Sequence, residues 1–244
     1  MSEKTRLDLL LFQKGMAESR EKARAMIMAG VVEVDEVRVE KPGYLVPSSS
    51  QILVKKPACP YVSRGGLKLE AALRDFSVAI EGKVIMDVGA STGGFTDCLL
   101  QHGARSVIAV DVGYGQLHWN LRGDPRVVVF ERTNIRHLEP GVLEEQIDGA
   151  VIDVSFISLK LVVPAASRHL KEHAFIVALL KPQFEVGKGR VGKGGVVRNP
   201  ALHQETLKEM IRFFRSLEWE VAGQMPSPLL GPKGNKEFLI YLKR

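Results

Sequence analysis

Five short apolar runs rich in β-branched residues constrain the fold of this chain more than any other feature. The runs are Val84 to Val88, Val107 to Val112, Val127 to Phe130, Ala150 to Val154 and Phe175 to Leu180. Helical patterns lie between them, near residues 95–101, 116–121 and 159–170. Buried strands that alternate with helices predict a parallel sheet covered on both faces.

The C-terminal part predicts an addition to this sheet. A helix over Ala201 to Leu217 is followed by two further strands, Trp219 to Ala222 and Glu237 to Leu242. Because the stretch between these two strands is rich in proline and glycine, a loop or hairpin fits better than a helical crossover. We therefore expect a doubly wound α/β sheet with an antiparallel member.

The first 57 residues have a different pattern and predict a small separate unit. One short helix begins in Arg6-Leu-Asp-Leu-Leu-Leu-Phe12, and a second follows Ser19, a typical N-cap residue, and ends near Gly30. Valines then alternate with polar residues over 31–39, with a turn at Asp35-Glu36, and a further strand is expected over 51–54. We expect domains at 1–57 and 63–244, joined by a proline-containing linker over 58–62.

Composition limits the classes of protein to consider. The net charge of +6 is a mild indication of a polyanionic partner. Two distant cysteines, Cys59 and Cys98, exclude a disulfide framework, and we expect no metal site. No run approaches the roughly 18 apolar residues of a membrane span, and no signal peptide is visible. We expect a cytoplasmic protein without a membrane partner.

A glycine-rich turn follows the first strand of the predicted sheet. Such a turn lets a cofactor approach the backbone, but glycines at 89, 93 and 94 depart from the dinucleotide fingerprint. Asp87 before this turn suits a cationic ligand, and Asp111, 22 residues after Gly89, could hold both hydroxyls of a ribose. These features fit S-adenosylmethionine, although a turn that serves only helix packing is the alternative. The candidate cofactor-binding residues are Asp87, Gly89, Ala90, Ser91, Thr92, Gly93, Gly94, Phe95, Asp111 and Asn134.

Two charged residues follow neighbouring strands of the same sheet. Asp153 comes after the fourth strand and Lys181 after the fifth. Because parallel strands place their carboxyl ends at one edge, where α/β sheets bind ligands, these side chains could face one cleft and pair. Each residue alone could also be a strand-end charge that reaches water.

From Ser63 onward the chain resembles the FtsJ-like ribose 2′-O-methyltransferases, a Rossmann-like class I methyltransferase family with a mostly parallel seven-stranded sheet and a Lys-Asp-Lys-Glu tetrad. The matching positions are Lys68 in Ser63-Arg-Gly-Gly-Leu-Lys68, Asp153 in Ile-Asp-Val-Ser, Lys181 in Leu-Leu-Lys-Pro and Glu237 in Gly234-Asn-Lys-Glu237. The resemblance implies that these four residues are catalytic. Lys181 would act either as a neutral general base or as an ammonium that stabilises an alkoxide.

The N-terminal segment resembles the S-four-type RNA-binding module, a small α+β domain. Its signature is legible in Arg6-Leu-Asp8, Ser19-Arg20, Gly30-Val-Val-Glu-Val34 and Lys41-Pro42, but Glu36 stands where the module usually has glycine. The glycine-rich stretch from Gly187 to Gly195 is interpreted as a mobile loop, which could close over an RNA backbone or be a plain surface loop. The candidate RNA-binding residues are Arg6, Arg20, Lys22, Arg24, Lys188, Arg190 and Lys193.

The two modules in this order resemble the TlyA (hemolysin A) family. That resemblance implies methylation of ribose 2′-hydroxyls of cytidines, with ribosomal RNA or ribosomal subunits as partners and S-adenosylmethionine as cofactor. Base methylation is a rival within the fold, but the fourth strand ends in Asp153-Val-Ser-Phe without the Pro-Pro or cysteine features that it needs. A noncatalytic RNA-binding or ribosome-associated factor and a membrane-active hemolysin are the alternatives from other classes.

Overall fold

A computed structural model shows two compact units, which divide between Pro60 and Tyr61. The structure describes residues 4–28, 30–55, 59–143, 145–187, 189–192 and 194–244. Residue 58, the first of the predicted linker, lies outside these ranges.

The N-terminal unit combines two helices with short antiparallel strands. Its elements are β1 (Lys4–Arg6), α1 (Leu7–Gln13), α2 (Arg20–Met28), β2 (Val32–Val34), β3 (Val37–Arg38), β4 (Leu45–Pro47) and β5 (Ile52–Val54). One sheet has the order β3-β2-β5, and β1 pairs with β4. The sequence did not predict β1 or β4, because strands of three residues carry too little periodicity to recognise.

Two local predictions in this unit can be compared with the backbone. The hydroxyl of Ser19 accepts a hydrogen bond from the N–H of Lys22 at 3.1 Å, so Ser19 caps α2. Asp35 and Glu36 have φ values of 50° and 66°. The hairpin therefore adopts the left-handed turn that glycine favours, although neither residue is glycine.

The second unit contains the larger sheet and its helices. Its elements are α3 (Gly65–Asp75), β6 (Val84–Val88), α4 (Gly94–Gln101), β7 (Ser106–Val110), α5 (Trp119–Arg122), β8 (Val127–Phe130), β9 (Ile147–Ile152), α6 (Leu159–Ser167), β10 (Leu170–Leu180), α7 (Pro182–Glu185), α8 (Pro200–Ser216), β11 (Glu220–Pro226) and β12 (Phe238–Lys243).

The seven strands of this unit have the order β11-β12-β10-β9-β6-β7-β8. Strands β10, β9, β6, β7 and β8 pair in parallel, whereas β12 is antiparallel to both β10 and β11. The predicted doubly wound sheet with an antiparallel member is confirmed. Its central strands are buried on both faces, which explains their continuous apolar sequence.

Two helix predictions in this unit needed correction, and a further helix was missed. The stretch at 116–121 forms only the short α5, and the helix expected to reach Leu170 ends at Ser167. Leu170 instead pairs with Ile147 at the start of β10. Helix α3 was not predicted, since it begins with Gly65 and Gly66, which have low helix propensity. Within the described ranges, none of the helices has the length and apolar character needed to cross a bilayer.

Candidate active site

A cavity of about 560 Å³, here called the central cavity, lies at the carboxyl edge of the sheet in the second unit. Its wall comes from the start of α3, the turn after β6, the ends of β9 and β10, and the segment before β12. Lys68, Asp153, Lys181 and Glu237 all line it. The structure therefore brings together the four residues that the sequence suggested as a tetrad.

The four side chains form two ion pairs. Lys181 follows β10 and Asp153 follows the adjacent β9, and the Lys181 ammonium lies 2.6 Å from Oδ1 of Asp153. The ammonium of Lys68 donates a hydrogen bond to Oε2 of Glu237, also at 2.6 Å. Pairing across neighbouring strand ends is the arrangement that the sequence predicted for Asp153 and Lys181.

Three of these four side chains are largely shielded from water, and that of Asp153 is 23% exposed. The lysine side chains are 9% and 12% exposed, and the Glu237 side chain is 0% exposed. Burial of an ion is costly unless an opposite charge compensates it, so each lysine depends on its carboxylate and each carboxylate on its lysine. Removing one member leaves an uncompensated charge in the cavity wall.

Glu237 uses only one of its two oxygens within the described part of the chain. Oε1 is buried and has no hydrogen-bond partner there. A Cβ on Gly231 would lie 2.0 Å from Oε1, so the carboxylate fits only because residue 231 is glycine. A buried acceptor without a donor is unusual, and close packing against Gly231 holds this one in the cavity wall.

Ser155 belongs to the same group, although the sequence analysis did not single it out. The Lys181 ammonium donates to its hydroxyl at 3.0 Å. Serine is common near strand ends, so its identity alone carries no signal. Its position two residues after Asp153 was the one available indication.

The glycine turn after β6 is fixed by close contacts on two sides. Gly89 has a φ of 86°, and a Cβ there would lie 2.5 Å from the carbonyl oxygen of Asp153. A Cβ on Gly94 would lie 2.2 Å from the Ser63 hydroxyl oxygen. Both glycines are therefore required by close packing, against the end of β9 and against the segment that leads into α3.

A second cavity of about 430 Å³, here called the lateral cavity, adjoins the first. The two share Gly89, Ser91, Asp153 and Ser155 in their walls. Asp111 lines the lateral cavity, and its carboxylate accepts backbone N–H bonds from Ser91 at 2.8 Å and from Gly113 at 2.6 Å. Two amide donors hold this carboxylate in a fixed orientation.

The other predicted cofactor residues divide into two groups. Those that line one of the two cavities are Gly89, Ala90, Ser91, Thr92, Gly94, Phe95, Asp111 and Asn134. Asn134 also caps the turn that follows it, since its side-chain oxygen accepts the N–H of Arg136 at 3.1 Å. Asn134 therefore both caps this turn and lines the lateral cavity.

Asp87 and Gly93 lie beneath the turn and outside the walls of both cavities. The Asp87 side chain is fully buried and accepts the Thr96 hydroxyl at 2.7 Å, and its burial raises the pKa to about 7. A Cβ on Gly93 would lie 2.3 Å from Leu121. In this structure both residues support the turn from below.

Phe156 is a feature of the lateral cavity that the sequence analysis did not recognise. The residue lines the cavity, is 91% exposed and has a φ of 63°. Its ring lies 5.1 Å from that of Phe184, centroid to centroid. A large apolar side chain held outward on an unfavourable backbone conformation is typical of a functional position.

The residues around both cavities fit S-adenosylmethionine. The turn residues Gly89 to Thr92 line the cavities, and Asp111 offers a fixed acceptor for ribose hydroxyls. In the part of the chain that the structure describes, no group of three or more metal-ligating side chains occurs.

Comparison with known protein families gives the same fold and places the chain among its relatives. Residues 61–244 match the FtsJ-like methyltransferase family, and residues 5–52 match the S4 domain. The first match covers most of the chain. The chain belongs to the FtsJ-like methyltransferase family. The N-terminal unit is an S4 domain, which is the S-four-type module that the sequence indicated.

This FtsJ-like chain is similar over its whole length to several proteins. It is 50% identical to "Putative rRNA methyltransferase YqxC" of Bacillus subtilis, covering 99% of the chain and 86% of the relative. It is 46% identical to 16S/23S rRNA (cytidine-2′-O)-methyltransferase TlyA of Mycobacterium tuberculosis, covering 100% and 91%. A solved structure, "Putative hemolysin from Streptococcus thermophilus", has a TM-score of 0.76 and 43% identity, covering 100% and 90%. The predicted membership of the TlyA (hemolysin A) family is confirmed.

Two candidate RNA-binding arginines of the S4 domain share one buried carboxylate. Asp8 is fully buried and accepts Nε and Nη2 of Arg6, both at 3.0 Å, and Nε of Arg20 at 3.1 Å. The hydrogen bond from Arg6 is the main reason why the pKa of Asp8 falls to about 2. Both arginine side chains remain 46% exposed, so Asp8 fixes their position while they present charge to solvent.

The other candidate RNA-binding residues differ in their contacts. Lys22 pairs with Glu18 at 2.6 Å on the surface of α2, and Arg24 is exposed on the same helix. Arg190 forms a two-point contact with Glu205, with N–O distances of 2.9 and 2.5 Å. Lys188 and Lys193 lie outside the described residues.

Proposed function

We propose that this protein transfers a methyl group from S-adenosylmethionine to a ribose 2′-hydroxyl of cytidine in ribosomal RNA. The observation that carries the proposal is the pair of buried ion pairs, Lys181 with Asp153 and Lys68 with Glu237, around one cavity. The substrate class comes from the TlyA relative, whose name specifies 16S/23S rRNA and the cytidine 2′-oxygen. Since that substrate is ribosomal, we expect the protein to act in the cytoplasm.

We assign cofactor binding to the glycine turn and the lateral cavity. Asp111 would accept ribose hydroxyls with the lone pairs that its two backbone donors leave free. The backbone from Gly89 to Thr92 would lie along the ligand, with Asn134 and Phe95 at the walls. S-adenosylmethionine supplies an electrophilic methyl group when bound.

Lys181 would stabilise the ribose oxygen as it becomes negative. Its position next to the Asp153 carboxylate favours the ammonium form, because an opposite charge nearby stabilises a cation. A buried ammonium stabilises developing oxyanion charge more strongly than one in bulk water. Between the two roles considered for Lys181, we therefore propose the electrostatic one.

Lys68 and Glu237 would position the substrate. Glu237 holds the Lys68 ammonium in the cavity wall, and Lys68 would donate a hydrogen bond to a ribose oxygen. Asp153 would orient Lys181. Since its side chain is 23% exposed, Asp153 also offers the released hydroxyl proton a route to water.

Phe156 would stack against the base of the target nucleotide. A ribose inside a folded RNA reaches such a cavity only when its nucleotide is turned out of the helix, and aromatic rings commonly receive the exposed base. The Phe156 ring is exposed beside the residues that both cavities share. No base-specific contact is required for this role.

The S4 domain would supply most of the affinity for RNA. Arg6, Arg20, Lys22 and Arg24 would contact phosphates, and Arg190, Lys188 and Lys193 would add contacts from the methyltransferase domain. Phosphate contacts position a protein without reading sequence, so the choice of nucleotide would depend on RNA shape around the target.

The proposal is tested by incubating the purified protein with S-adenosylmethionine that carries a trideuterated methyl group and with ribosomal subunits from cells lacking the gene. Enzymatic digestion and mass spectrometry of the nucleosides then locate the label. We expect trideuterated 2′-O-methylcytidine. Label on a base would contradict ribose methylation, and the absence of label in every nucleoside would support a noncatalytic RNA-binding factor.

A further inference from the structure

Two side chains join the glycine-rich segment, defined here as residues 189–192 and 194–198, to the turn before Glu237. The exposed Lys233 donates to the carbonyl oxygen of Gly194 at 3.0 Å, and the buried Asn235 bonds to Gly195 and Val197. We propose that Asn235 is a positioning residue, which ties this segment to the turn before Glu237 and thereby holds the Glu237 carboxylate in place beside Lys68. This inference rests on the proposed function, since Glu237 is assigned there to the active site.

Asn235 is almost completely buried, with 3% of its surface exposed, and it uses its whole amide group. Its side-chain oxygen accepts the N–H of Val197 at 3.1 Å. Its side-chain nitrogen donates to the carbonyl oxygens of Gly195 at 3.0 Å and Pro232 at 3.1 Å. Asparagine supplies one acceptor and two donors in a plane, which is the set that these three backbone groups require.

The turn that Asn235 closes packs directly against Glu237. The N–H of Gly231 donates to the backbone oxygen of Asn235 at 2.9 Å, so both ends of the turn are joined. Gly231 is also the residue whose missing Cβ leaves space for Oε1 of Glu237. A shift of this turn therefore changes the space that the carboxylate occupies.

The described residues of the glycine-rich segment pack against the rest of the domain. Val197 is buried in a small apolar cluster with Val186 and Leu202, against which Val191 packs. The carbonyl oxygen of Val197 lies 2.8 Å from Nε2 of His203 on α8. The segment is thus anchored to α8, and Asn235 extends that anchor to the turn beside Glu237.

Replacement of Asn235 should affect methyl transfer without affecting cofactor binding. Asn235→Ala leaves Gly195, Val197 and Pro232 without their partners, and the turn is then free to move against Glu237. We expect kcat to fall at least tenfold, the KM for ribosomal subunits to change less than threefold, and the Kd for S-adenosylmethionine to change less than twofold. Trypsin should also cleave this variant faster at Arg190 and Arg198.

Two further variants separate positioning from a merely structural role. Glu205→Ala removes the partner of Arg190 at the exposed side of the segment, so it should speed cleavage at Arg190 but leave kcat unchanged. Gly231→Ala places a methyl group against Oε1 of Glu237, so it should lower kcat without faster cleavage. Gly231→Ala also provides the test if Asn235→Ala does not fold.

The outcomes distinguish this inference from the proposed function. An active wild-type protein and an Asn235→Ala variant with unchanged kcat would overturn the role of Asn235, as would unchanged kcat in Gly231→Ala. A wild-type protein that transfers no methyl group would overturn the proposed function itself. The combination of low kcat, near-normal KM and faster cleavage in Asn235→Ala would support both.

Discussion

The two ends of strands β9 and β10 carry the same kind of ion pair in different surroundings. At the carboxyl end, Lys181 lies 2.6 Å from Asp153, and at the amino end, Lys171 lies 2.6 Å from Asp148. Each end also has a cavity of similar size, about 560 and 520 Å³. Neither a lysine–aspartate pair nor a cavity volume therefore identifies an active site by itself.

The difference lies in burial and in the neighbouring backbone. The Lys171 side chain is 42% exposed, whereas that of Lys181 is 9% exposed. Asp148 also accepts the N–H of Val84 and so connects β9 to β6, which is a structural task. At the carboxyl end, the glycine turn and a second buried ion pair, Lys68 with Glu237, meet in one cavity. The carboxyl end therefore combines buried charges with a glycine turn, at the edge where α/β sheets bind ligands. This combination is what indicates an active site.

The largest effect is expected from removing the lysine at each end in turn. Lys181→Ala should lower the rate of methyl transfer by about a hundredfold or more, because the oxyanion loses its stabilising charge. Lys171→Ala should transfer at the wild-type rate, although it removes the same residue type from the same strand. Single-turnover transfer to ribosomal subunits measures both, and calorimetry should show little change in the Kd for S-adenosylmethionine. Equal rates in the two variants would remove the functional distinction between the two ends.

A smaller effect is expected from Phe156, which only the carboxyl end possesses. Phe156→Ala should weaken binding of the RNA substrate about tenfold, since stacking of one base contributes about 1–3 kcal/mol. Phe156→Tyr should retain the stacking surface and most of the affinity. Leu161→Ala, at another exposed apolar side chain of the same domain, serves as the control and should bind normally. The KM for ribosomal subunits in steady-state transfer provides the measurement, and an unchanged KM in Phe156→Ala would exclude the stacking role.

The smallest effect is expected from an ion pair in the S4 domain. There the Asp8 carboxylate is buried, and its partners Arg6 and Arg20 are half-exposed. The pKa of Asp8 is about 2, below the ordinary value of 3.8. A lowered pKa means that the ionised form stabilises the folded state above the ordinary pKa, and that this contribution disappears as the pH falls toward 2. Because water screens the half-exposed arginines, we expect Asp8→Asn to lower the free energy of unfolding by about 1–2 kcal/mol at pH 7.

This prediction is tested by urea unfolding of the wild type and Asp8→Asn between pH 7 and pH 3. The difference between the two proteins should be constant near neutral pH and should narrow below about pH 4. A difference that persists unchanged at the lowest pH would show that packing around Asp8, and not its charge, stabilises the domain.

The sequence predicted the sheet and the pair Asp153 and Lys181 because both depend on local signals, whereas Lys68 and Glu237 were predicted only from the resemblance to the FtsJ-like family. Apolar runs such as Val84 to Val88 identify buried strands without knowledge of their neighbours, and the strand-end positions of Asp153 and Lys181 place them at one edge of a parallel sheet. Helix α3 was missed because its glycines disfavour a helix locally, and packing of α3 against α4 outweighs that preference.

The remaining features depend on contacts between distant residues. Asn235 lies in a sequence that is typical of an ordinary turn. Its proposed role follows only from its bonds to Gly195 and Val197, about forty positions earlier. Phe156 became a candidate for base stacking only once its exposure was known. Asp87 lies in the buried strand β6, but its hydrogen bond with Thr96 is a contact that no spacing rule predicts.

The most direct test of ribose methylation at the carboxyl-end ion pair is mass spectrometry of ribosomal RNA nucleosides from cells that lack the gene. The cells are complemented with the wild type, with Lys171→Ala or with Lys181→Ala, each at equal protein level. We predict that the wild type and Lys171→Ala restore 2′-O-methylcytidine and that Lys181→Ala does not. Restoration by Lys181→Ala, or restoration of a base-methylated nucleoside in its place, would contradict the account.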